Sequence, residues 1–129
     1  MKKEEQIPKD WKTELSNLIN KFGLMNIDEH DIEAIFGESE EIGVGMTERR
    51  GEESLENATL SALTVALGKI GRNVPLKVFV FFAGNMELIE MSEAVGGIYG
   101  KFENEPEVIF GYDFRENVES PVKIIVFAL

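Results

Sequence analysis

Just after Lys77 the chain runs Val78-Phe79-Val80-Phe81-Phe82 without a polar residue, and this run limits the possible folds more than any other feature. Five apolar residues bounded by Pro75 and Gly84 are the length of a strand, and β-branched and aromatic side chains favour extended backbone. Side chains of a strand alternate between its two faces, so a strand apolar at every position is expected where both faces are covered. The chain therefore has to build a sheet with this segment inside it.

The rest of the pattern supplies that sheet. Ile42-Gly43-Val44-Gly45-Met46 alternates strictly and predicts a strand whose glycines let another backbone or helix come close. Glu107 to Tyr112 and Val122 to Ala128 are two further β-rich runs, joined by the polar Arg115 to Ser120 and near enough in sequence to form a hairpin. Glu53 to Lys69, rich in Ala, Leu and Glu, predicts a long helix, ended by Gly68, Gly71, Asn73 and Pro75. From Glu87 to about Tyr99, Leu88, Met91, Ala94, Val95 and Ile98 recur at helical spacing. Gly96 and Gly97 each cost that helix about 1 kcal/mol against alanine, so it ends early or packs tightly there.

Two helices lead this pattern. Trp11, Leu15, Leu18, Ile19 and Phe22 form one amphipathic stripe closed by Gly23, and a brief helix runs from about Asp28 to Phe36, closed by Gly37. The predicted class is α+β, a mixed four-stranded βαβαββ sheet with two helices on one face. Residues 1–10 are a polar, frayed amino terminus. Residues 11–129 form a single domain, with leading helices over 11–37 and the βαβαββ core over 41–129.

Composition narrows the function. A chain of 129 residues with a formal net charge of −11 repels phosphate backbones and anionic membrane surfaces, so neither nucleic acid nor direct membrane binding is expected. There is no cysteine and no apolar run near 18 residues, which matches a cytoplasmic protein without disulfides.

The segment Asn26-Ile27-Asp28-Glu29-His30-Asp31 places polar groups at a helix start. Capping alone accounts for its acids: Asp28 is a good N-cap, and Asp31 falls in the first turn beside the positive helix end. Glu29, Asp31 and Glu33 with His30 could be taken for a metal cluster, but successive acids at a helix start ordinarily form a solvated face, and no metal is assigned. The single histidine, His30, reads as a solvated helix residue.

The neighbours of this segment carry more. Leu15-Ser16-Asn17-Leu18-Ile19-Asn20-Lys21-Phe22-Gly23-Leu24-Met25-Asn26-Ile27-Asp28 resembles the place where the long central helix of the FtsZ/tubulin family ends and its catalytic (synergy) loop begins, a stretch of the form Ile-Ser-Asp-Leu-Ile-x-x-Pro-Gly-Leu-Ile-Asn-Leu-Asp. Gly43-Val44-Gly45 followed by Gly51-Glu52-Glu53 is similar to the family's Met-Gly-x-Gly strand and Gly-Glu-Asp helix start. Val108-Ile109-Phe110-Gly111 and Val122-Lys123-Ile124-Ile125-Val126 are similar to its closing strands. The resemblance covers roughly Trp11 to Leu129 and implies the carboxyl-terminal domain of that family, of chorismate-mutase-like plan.

In that family subunits stack head to tail, and the loop's acids reach the nucleotide of the next subunit. The resemblance implies that Asn26, Asp28 and Asp31 are the loop's polar residues, catalytic in trans, the two carboxylates orienting the water that attacks the γ-phosphate of a partner's GTP. Phe22 stands where the family commonly has proline. No Gly-Gly-Gly-Thr-Gly-Thr-Gly phosphate loop occurs in the sequence, so GTP and Mg2+ would belong to the partner and the chain itself would take no cofactor. The implied function is an FtsZ-like protein, related to cell division and the cytoskeleton, that is no enzyme alone. It docks on an FtsZ-like GTPase subunit or a separate GTP-binding half, capping a filament or completing hydrolysis, with weak self-association besides. An alternative of another class is an oligomeric small-ligand-binding module or enzyme with sites between subunits.

Overall fold

The computed structural model of the chain describes residues 29–37, 41–114 and 121–129. Seven elements follow one another: α1 (Glu29–Phe36), β1 (Gly43–Arg49), α2 (Leu55–Lys69), β2 (Lys77–Gly84), α3 (Leu88–Lys101), β3 (Glu107–Phe114) and β4 (Val122–Ala128). After α1 this is the predicted βαβαββ order. The leading helix predicted from Trp11 to Phe22 lies outside the described residues, as does the Arg115 to Ser120 connection.

One sheet has the order β1-β4-β2-β3. β2 and β3 run parallel, with Val78 beside Val108 and Phe82 beside Tyr112. β4 is antiparallel to both its neighbours, with Val126 between Gly45 of β1 and Val80 of β2. The predicted hairpin of the last two strands is therefore wrong, because β4 leaves β3 and inserts between β1 and β2. Burial explains the choice. Ile124 to Ala128 are buried at every position and call for an interior strand, whereas β3 alternates between half-buried and exposed residues, as an edge tolerates.

The predicted pair of helices, α2 and α3, covers one face. Leu55, Leu63, Met91 and Ile98 pack there on Val78, Val80, Phe82, Ile124 and Val126. α1 covers part of the other, where Ile32 and Phe36 join Val44, Phe79, Phe81, Ile125 and Phe127. Every residue of the Val78 to Phe82 run is buried, as its composition requires.

α2 lies directly on β1. A Cβ built on Gly43 would overlap the carbonyl oxygen of Ala66, and one on Gly45 that of Ala62, while the Thr47 hydroxyl donates to the Ala58 carbonyl at 2.7 Å. Four helical residues rise about 6 Å and two strand residues about 6.6 Å. Gly43, Gly45 and Thr47 therefore meet Ala66, Ala62 and Ala58 in step, with helix and strand antiparallel. Ser54, whose side chain accepts from the Asn57 amide at 3.0 Å, starts α2 two residues later than predicted. α3 runs through Gly96 and Gly97 to Lys101, and Gly97 lies against the side chain of Glu56 on α2.

Candidate functional site

α1 fixes what can be said of the acidic segment. Gly37 ends the helix with φ +72°, its amide donating to the Glu33 carbonyl at 2.8 Å. Ile32 is completely buried and Phe36 nearly so, both against the aromatic side of the sheet. The Lys77 ammonium of β2 donates to the Ile35 carbonyl at 2.7 Å, placing a cation at the negative end of α1, and stands 3.8 Å from Glu107. Three anchors thus hold a helix of 8 residues to the sheet.

Asp31 lies within α1, one position before Ile32, so its backbone is set by those anchors. Asn26 and Asp28, the other two predicted site residues, lie outside the described residues. His30 is exposed, as the solvated reading expects. Among the described residues no group of three His, Cys, Asp or Glu could hold a metal ion.

A second polar centre was not legible in the sequence. Arg49, at the end of β1, donates to Glu90 on the first turn of α3 at 3.0 Å, across 41 positions of chain. Glu90 also accepts from the Glu87 amide at 3.0 Å, closing a capping box. The Arg49 guanidinium, and next the Glu87 amide, hold the Glu90 carboxyl below its ordinary value. The Glu87-x-x-Glu90 spacing could have signalled the cap, but nothing local signals Arg49. This centre ties the sheet to the helix.

The chain can now be compared with known proteins. No protein-family model matches it. The cell division protein FtsZ of Wolbachia pipientis is 28% identical over 112 residues, covering 82% of this chain and 35% of that protein. A solved structure of an empty FtsZ dimer from M. jannaschii matches with a TM-score of 0.53 at 22% identity, over 88% of this chain and 34% of that one. The CetZ structure from Methanosaeta thermophila strain DSM 6194 matches with a TM-score of 0.58 at 9% identity, over 90% and 35%. The fold is that of the carboxyl-terminal domain shared by FtsZ and its tubulin-like relatives. In sequence as well as fold, the chain is similar to the carboxyl-terminal domain of the FtsZ/tubulin family. It spans about a third of the length of the curated relatives it matches.

Proposed function

We propose that this domain docks the acidic segment Asn26 to Asp31, which runs into the start of α1, on the nucleotide pocket of an FtsZ-like GTPase, capping a filament or completing GTP hydrolysis in trans. Asn26, Asp28 and Asp31 would face the γ-phosphate, the two carboxylates orienting the attacking water. Phosphoryl transfer asks little of the protein beyond placement of that water and neutralisation of charge, so residues presented by a second molecule can supply the placement. The nucleotide and its Mg2+ belong to the partner, or to a GTP-binding half carried by a separate chain. The observation that carries this reading is the sequence similarity to FtsZ over most of the domain. The packing of α1 on the sheet through Ile32, the residue after Asp31, supports it.

The test mixes the protein with a polymerising FtsZ homologue and follows GTP turnover and sedimentation. A several-fold excess is expected to change both, and Asp28→Ala with Asp31→Ala to abolish the change in turnover. No effect at excess would remove the docking proposal. An effect that survives both substitutions would remove the loop's chemical role.

A further inference from the structure

The exposed edge of the sheet carries a feature that docking through the acidic segment does not use. Among the described residues β3 pairs only with β2, leaving its outer backbone groups available. Edge strands are normally kept from pairing by shortness, charged side chains (lysine above all), proline or a bulge. β3 has 8 residues, Glu-Val-Ile-Phe-Gly-Tyr-Asp-Phe, with neither lysine nor proline. Phe110, Tyr112 and Phe114 are 36%, 51% and 52% exposed at alternate positions. The register with Val80, Phe82 and Gly84 sets all three on the sheet face that carries α2 and α3. Three partly exposed aromatics along this edge form an apolar strip, with Phe110 also packed edge-on against Phe82.

We propose that β3 is a self-association edge: two copies of the chain pair their β3 strands antiparallel about a two-fold axis at Gly111, joining two four-stranded sheets into one of eight strands. A strand paired with itself this way keeps the same face up in both copies when the register is centred on a residue. Centring on Gly111 sets Phe110 opposite Tyr112 of the second copy and Val108 opposite its Phe114, so the apolar strips meet side by side. Gly111 brings no side chain to the axis.

The self-complementary aromatic strip selects a second copy as the occupant, and charge selects the register. A formal charge of −11 on each chain opposes self-association over long range, yet the edge itself is compensated. Glu107 has Lys77 of its own sheet at 3.8 Å, and Asp113 shares a row with Ala83 and Lys123. Both acids lie on the sheet face opposite the aromatic strip. In the Gly111 register Asp113 meets Ile109 of the second copy. Centring on Phe110 instead would set Glu107 against Asp113, and like charges directly opposite destabilise a pair.

Sedimentation equilibrium on the whole chain tests this. A dimer is expected whose fraction rises between about 50 and 500 mM salt, as screening weakens repulsion between the acidic bodies. Phe110→Lys and Tyr112→Lys are expected to weaken association at least about tenfold by setting a charge in the apolar strip. Tyr112→Lys should unfold thermally as the parent does, since that side chain is half exposed, whereas Phe110 also meets the buried Phe82 ring edge-on at 6.2 Å. The chain has no cysteine, so Gly111→Cys gives a clean register test. A Cβ there makes only ordinary contacts with Phe79 and Phe81. Directly opposed positions lie within disulfide reach. Gly111→Cys should cross-link under mild oxidation far faster than the exposed control Ser61→Cys. A mixture of Phe110→Cys and Tyr112→Cys should cross-link faster than either variant alone. A chain monomeric at all salt concentrations, a dimer indifferent to both lysines, or equal cross-linking at positions 111 and 61 would overturn the proposal. So would a monomer that binds an extended basic peptide more weakly as salt rises.

Discussion

Gly43 and Gly45 decide how close α2 comes to the sheet, since a methyl group at either position runs into the backbone of Ala66 or Ala62, which cannot turn aside. Gly45→Ala is expected to lower the free energy of unfolding by about 2 kcal/mol through overpacking, read as a lower midpoint in urea at unchanged slope. Gly96, on α3, has nothing within 4 Å of its missing Cβ. Gly96→Ala should raise the same midpoint by about 0.5–1 kcal/mol, because only helix propensity and unfolded-chain entropy change there. Equal responses at the two positions would mean that the approach of α2 does not limit stability. The alternation of Gly43 and Gly45 was legible in the sequence. The partners Ala62 and Ala66 were not, because they lie some twenty positions away and are ordinary residues of a helix.

At the scale of elements, the ion pair of Arg49 and Glu90 binds the end of β1 to the start of α3. The hydrogen bond from Arg49, and after it the Glu87 amide, lower the Glu90 pKa from its ordinary 4.5. A carboxyl depressed in the folded state stabilises it above its unfolded pKa, and that contribution fades as pH falls through the folded value. Arg49→Met should therefore cost about 0.5–1 kcal/mol at pH 7, allowing for the partial exposure of both side chains, and the difference from the parent should shrink below about pH 4. Chemical unfolding at pH 7 and pH 3.5 checks this, and a gap that widens in acid would contradict it. Elements themselves were readable from local period: β2 from its unbroken apolar run, and α3 from its spacing despite two glycines. Their arrangement was less so. The short link between β3 and β4 pointed to a hairpin, while the continuous burial of β4 demanded two strand neighbours, and burial won. Within the acidic segment, periodicity yields only a capped helix, and its chemical reading came from family resemblance alone.

For the whole molecule the decisive fact is that β4 lies between β1 and β2. Without it β1, with α2 on its face, and the unit of β2, α3 and β3 share no strand pairing. Removing residues 122–129 is therefore expected to abolish the cooperative unfolding transition altogether, whereas truncating an edge strand would leave a smaller sheet. A single sharp melt in the shortened chain, followed by circular dichroism, would show the two units cohering without it. The same placement has a consequence for synthesis. Of the four strands, the inner strand β4 is the last to be synthesised, roughly 80 residues after β1, which takes on the order of ten seconds. For the second half of that interval, once β2 has been made, Phe79, Val80 and Phe81 flank a vacant slot, so the nascent domain needs shelter from aggregation until its keystone arrives.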